Sequence, residues 1–114
     1  MKIFLDDDRT TPKGWERCFW PNEVIDLLSK GEVSRISLDH DLGDPIITGY
    51  DVLLWIEKTV FQNPNWDVPT IILHTQNSSA RDKMWNAILS IKKLANKDFN
   101  AIYAPYNANN LYYQ

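Results

Sequence analysis

Short apolar runs alternate along this chain with segments of helical spacing, and nothing else in the sequence constrains its fold as strongly. The runs are "KIFL" from Lys2, "SRISLD" from Ser34, "TIILHT" from Thr70 and "DFNAIYA" from Asp98; "WERCFW" from Trp15 reads as a further short strand. Between them, "PNEVIDLLSKG" has Pro21 in its first turn, Val24, Ile25, Leu27 and Leu28 on one face, and Gly31 as its stop. "YDVLLWIEKTVF" follows Thr48, which is placed to cap it with Asp51 three residues on. A third helix is predicted from about Ser79 to Ala95: Ala80, Met84, Ala87, Ile88, Ile91 and Leu94 keep helical spacing, and the Ser79 and Asp82 pair reads as its start signal. Strands alternating with helices imply an α/β protein with a parallel sheet of about five strands, covered on both faces to make three layers. The linker between the first two strands is shorter than the dozen or so residues that a crossover helix needs, so the first crossover helix is expected to be missing.

At 114 residues the chain reads as one domain, 1–114, and the stretch "PYNANNLYYQ" (105–114) remains unassigned. The apolar content of 44% is enough for a packed interior. Cys18 is the only cysteine, which leaves no internal disulfide or thiolate metal site; it reads as a small buried residue. No apolar run approaches the length of a membrane helix and the first residues do not read as a signal peptide, so the expected location is the cytoplasm, with no membrane partner.

The net charge of −3 hides an uneven distribution: Asp6, Asp7, Asp8, Asp39, Asp41 and Asp44 sit in two clusters, "LDDDR" and "SLDHDLGD". Setting those six aside leaves nine acids against twelve Lys and Arg, a mixed field that argues against sequence-specific DNA binding on charge. Each cluster directly follows a core strand. Ligands of an open parallel sheet bind beyond the carboxyl ends of its strands. One aspartate there is ordinary turn chemistry, but two clusters point to a divalent cation, because gathered carboxylates raise one another's pKa unless a cation is present. Hard oxygen ligands favour Mg²⁺ or Mn²⁺, or Ca²⁺, over zinc. Asp6, Asp7 and Asp39, with Asp41 beside them, are the candidate ligands. His40 and His74 are candidate acid–base groups, and Arg9, Thr75, Asn77 and Arg81 are candidate phosphate contacts near the start of the third helix.

The acidic pair after the first strand, Asp39 after the third and Thr75 after the fourth resemble a response-regulator receiver domain, with Gly49 in the place of the glycine that follows the phosphorylated aspartate. Two departures count against a phosphorelay role. Ala104 in "IYAPYN" stands where receivers carry lysine, and His40, His74, Arg9 and Arg81 have no receiver counterpart. Those additions are similar to the cyclic-phosphate-processing receiver-like domains, through "LDDDR", "SLDHDLG", "TGYDVLLWI" and "HTQNSSAR", across about residues 3–95. The resemblance implies a metal-dependent phosphoesterase acting on a cyclic phosphate of a nucleotide, RNA end or phosphosugar. In that reading Asp39 belongs to the catalytic set with the two histidines, and the missing lysine favours attack by water over an aspartyl phosphate. Two other classes remain open: a non-catalytic module that binds a phosphorylated or cyclic nucleotide, and a degenerate receiver that uses Tyr103, Tyr106, Tyr112 and Tyr113 as a protein-contact surface. The sequence sets no oligomeric state.

Overall fold

The computed structural model describes residues 1–105 and 111–114. Five strands, β1 (Lys2–Leu5), β2 (Glu16–Cys18), β3 (Arg35–Leu38), β4 (Thr70–Leu73) and β5 (Ala101–Tyr103), form one sheet in the order β2-β1-β3-β4-β5. Every neighbouring pair is parallel. Three helices, α1 (Pro21–Ser29), α2 (Tyr50–Gln62) and α3 (Ser78–Leu94), connect β2 to β3, β3 to β4 and β4 to β5, and a short 3₁₀ turn spans Leu111–Tyr113. The receiver-like α/β fold expected from the sequence is therefore present. Among the described residues, no helix is long and apolar enough to cross a membrane.

The strand order explains the layering. The three helical connections all step the same way across the sheet, and right-handed crossovers in one direction lie on one face. On that face Ile3, Leu5, Ile36, Leu38, Ile71 and Leu73 pack against Val24 and Leu28 of α1, Val52 and Ile56 of α2, and Met84 and Ile88 of α3. The β1–β2 connection steps the other way and lies on the opposite face. It contains no helix, as its length requires: strands of three or four residues need a return of only about 10–13 Å, which ten residues span easily. The second face is covered too, but by aromatic side chains instead of helices. Phe4 and Ile72 from the sheet, Trp15 from the loop and Tyr113 from the 3₁₀ turn form a separate buried cluster with Ala104. Each such ring buries about 150–250 Å², equivalent to roughly 4–6 kcal/mol of apolar transfer, so a few aromatics can seal a face this small.

Two local readings are refined. α3 begins at Ser78, one residue earlier than expected, because the Asn77 carboxamide oxygen accepts the Ala80 N–H (3.1 Å); Asn77, rather than the Ser79 and Asp82 pair, caps the helix, which ends at Leu94. At α2 the N-cap is Gly49 rather than Thr48, with no side-chain cap bond, and the expected box forms only in half: the Thr48 N–H donates to Asp51 (3.2 Å), while the Thr48 hydroxyl accepts the Tyr50 N–H (3.3 Å). Gly49 stands between them with its N–H on the His40 carbonyl (3.0 Å). A Cβ at Gly49 would lie 1.7 Å from the Asp39 carbonyl oxygen, so only glycine lets α2 start this close to the end of β3. Gly49→Ala is expected to lower the unfolding free energy by about 3 kcal/mol, read as a lower urea midpoint at unchanged slope.

Candidate metal and phosphate site

Sheet register assembles the site. Leu5, Leu38 and Leu73 are paired across β1, β3 and β4. The residues that follow them, Asp6, Asp39 and His74, therefore form the next row. The ladder continues into it, because the Asp39 N–H donates to the Leu5 carbonyl (3.0 Å) and the His74 N–H to the Leu38 carbonyl (3.0 Å). Side chains alternate between faces along a strand, so this row shares the aromatic face with Phe4 and Ile72. One atom from each of the three side chains lies within 4.8 Å of the other two.

Asp6 is fully buried and fully engaged. One carboxylate oxygen accepts the N–H groups of Asp8 (2.8 Å) and Arg9 (2.9 Å), which folds the start of the β1–β2 loop over it. The other faces His74 Nε2 at 2.9 Å and Arg9 Nε at 3.5 Å. The Arg9 carbonyl accepts from Arg17 Nη1, which also reaches the Thr11 hydroxyl (3.1 Å), so β2 holds this loop in place. Burial pushes the Asp6 carboxyl up, but the hydrogen bond from His74, the two N–H groups and the charge on His74 outweigh it and hold the group at about 2. Asp39 goes the other way. Burial raises its pKa, and the neighbouring Asp6 adds to the rise; His74, the His40 N–H (2.8 Å) and Arg9 only partly offset it. The site thus holds one carboxylate that is satisfied and one whose neighbouring positive charge falls short of its desolvation.

His74 is wholly buried, stacked on Phe4 with centroids 4.6 Å apart and planes within 4°. Its two ring nitrogens reach Asp6 and the Ser37 hydroxyl (2.7 Å). His40 is not one of this trio: its Nδ1 lies 2.8 Å from the carboxylate of Asp41, which is itself exposed. Asp7 is exposed and leans toward the β3–α2 loop, its carboxylate 3.2 Å from where a Gly43 Cβ would stand. Neither Asp7 nor Asp41 belongs to the three-residue group. Thr75 is buried, with its hydroxyl accepting the Asn77 N–H (3.2 Å). Arg81 lies over the Tyr103 ring at 4.5 Å. These contacts tie Thr75, Asn77 and Arg81 to the start of α3, at the same rim as the trio.

Sequence reasoning passed over two residues that touch the site, Ser37 and Tyr113. Ser37 had a signal: it is the one polar residue inside the otherwise apolar "ISL" of β3. Tyr113 had none. It is buried, so it cannot be part of an exposed tyrosine surface; Tyr103 and Tyr112 are partly exposed, and Tyr106 lies outside the described residues. Trp15 is likewise buried, whereas Trp20 is exposed.

A five-stranded parallel sheet in this order, with an aspartate, an aspartate and a histidine in one row at its carboxyl edge, defines a receiver-like domain in which imidazole has joined the acidic site. The cyclic-phosphate processing Receiver domain family matches residues 1–90, and the chain belongs to that family. No curated protein and no solved structure matches it.

The opposed carboxyls give a pH test. A carboxyl held at about 2, against an ordinary 3.8, contributes stability that is present above 3.8 and lost as pH falls toward 2. For Asp6 this is about 2 kcal/mol, roughly half of it gone by pH 3. Asp39, with its pKa raised, opposes folding at neutral pH and stops doing so once protonated. In urea titrations at pH 7 without metal, Asp6→Asn is therefore expected to be destabilised by about 2–4 kcal/mol and Asp39→Asn to be more stable than the parent. The Asp6→Asn deficit should shrink by pH 3.

Proposed function

We propose that this domain is a metal-dependent phosphoesterase that opens a cyclic phosphate on a nucleotide, an RNA end or a related phosphosugar. The observation that carries the reading is the in-register row of Asp6, Asp39 and His74, whose ligand atoms lie within 4.8 Å of one another. The donor set fits a divalent ion. Adjacent ligands on an octahedral ion with bonds of about 2.1 Å stand about 3.0 Å apart, and His74 Nε2 and the Asp6 carboxylate are 2.9 Å apart. Asp39, half-buried and short of positive charge, is the carboxylate that a cation would satisfy best. An imidazole nitrogen beside two carboxylates favours Mn²⁺ over Mg²⁺.

When bound, such an ion polarises a phosphate oxygen and lowers the pKa of a coordinated water. The protein's own groups account for the rest. Arg9 is partly exposed and, among the described residues, meets Asp6 through its Nε, so its terminal N–H groups can reach an anionic phosphate oxygen. His40, whose side chain reaches solvent beside Asp39, takes the proton of the attacking water and returns it to the leaving oxygen. His74, buried and engaged at both nitrogens, holds position and exchanges no proton with substrate. The α3 N-terminus, with Thr75, Asn77 and Arg81, lies at the same rim and offers further contacts to the substrate's phosphate or sugar. Ala104 leaves the row without the receiver lysine, so attack by water is preferred to phosphoryl transfer onto Asp39.

The test is turnover of a panel of 2′,3′-cyclic nucleotides with Mn²⁺ or Mg²⁺, followed by phosphorus NMR. The expected result is metal-dependent ring opening, faster with Mn²⁺, lost roughly 100-fold or more in Asp39→Asn and Arg9→Ala. Ligand bound tightly but recovered intact across the panel would make the domain a binding module and end the catalytic reading.

A further inference from the structure

We propose that Tyr113, acting through Ser37, is a positioning residue for His74: it holds a hydrogen on Nδ1 and the ring in place, so that Nε2, which faces Asp6, is the nitrogen that gives up its hydrogen to bind an ion. The hydrogen-bond chain itself stands on geometry alone; its consequence for metal binding rests on the site reading above.

The phenol of Tyr113 lies 3.0 Å from the Ala104 carbonyl oxygen and 2.9 Å from Ser37 Oγ. A carbonyl can only accept, so the phenol hydrogen goes to Ala104. Ser37 must then donate its own hydrogen to the Tyr113 oxygen, which leaves the Ser37 lone pairs toward His74 Nδ1, 2.7 Å away. Among the described residues this chain runs one way, from His74 Nδ1–H to Ser37, from Ser37 to Tyr113 and from Tyr113 to the backbone, while Nε2–H donates to Asp6 when no metal is bound. Reversing it would set two lone pairs against each other at Ala104, inside a buried cluster where an unmade bond costs about 1–3 kcal/mol. With Nδ1 held as the donor, Nε2 is the nitrogen that meets the carboxylates and any ion they hold. A second partner that fixes ring and tautomer is the usual support of a metal-bound imidazole.

The anchor is rigid. Tyr113 packs at 6.2 Å from Phe4 and 5.5 Å from Trp15, and its carbonyl accepts the Trp15 indole N–H (3.1 Å). Phe4 in turn stacks on His74. Tyr113 lies 23 residues beyond the matched segment 1–90, so this support comes from a part of the chain that the family match does not include.

Tyr113→Phe keeps the ring and removes the hydroxyl, and Ser37→Ala breaks the chain one step closer; Ser37→Thr keeps a hydroxyl and serves as the rescue. Long-range proton–nitrogen NMR of the metal-free full chain should show His74 protonated at Nδ1 in the parent and in Ser37→Thr. In Tyr113→Phe and Ser37→Ala the Nδ1 resonance should shift or broaden at unchanged near-ultraviolet circular dichroism. Titration calorimetry with Mn²⁺ should show affinity falling roughly 10–100-fold in either variant, with the double variant losing far less than the product of the two, because both cut one chain. An Nδ1 resonance in Tyr113→Phe identical to the parent's, or a parent His74 with no hydrogen on Nδ1, would overturn the proposal. If the parent binds no Mn²⁺, the metal reading falls and the NMR result alone decides this one.

Discussion

The bond between Asp6 and His74 is the interaction around which the rest of the site is arranged. It joins β1 to β4 across β3, entirely out of solvent, and it brings opposite charge to a carboxylate that burial would otherwise neutralise. Such a pair persists only if its remaining hydrogen-bonding capacity is met. The loop after β1 meets it on one side through the Asp8 and Arg9 N–H groups, and Ser37 meets it on the other. The aromatic lining of the second face supplies the dry surroundings, with Phe4 flat against the imidazole.

Dispensing with a first crossover helix has a direct consequence for chemistry. A helix after β1 would occupy the face on which the site row points. In its place a ten-residue loop and a few rings cover the sheet, and the loop contributes Arg9 at the rim while Tyr113 reaches the underside of His74 through Ser37. The same economy leaves Asp39 with an unmet need for positive charge. Under the proposed function, stability is given up at that residue for a ligand.

The strands, the helices, the missing helix and the strand ends that carry the site were all legible in the sequence, because each depends on local pattern: apolar run length, helical spacing, a cap, a loop too short. The alternation of "KIFL", "SRISL" and "TIIL" with helical stretches is enough to imply parallel pairing, and parallel pairing is enough to put position 6, position 39 and position 74 at one edge. Which of the several acids at those ends turn inward was not legible. Asp6 and Asp7 are neighbours with the same side chain, yet one is buried and the other exposed, since alternation along the strand sends them to opposite sides.

By itself, then, the sequence determined the fold class and the edge at which chemistry collects, through short-range rules that need no partner. Only the tertiary structure decided that His74 lies beside the two aspartates, that His40 pairs with Asp41, and that Tyr113 reaches His74 through Ser37. Those outcomes depend on register between strands 30 or more residues apart and on which buried polar atoms find partners. Both are properties of the packed whole, and no local stretch of sequence encodes them.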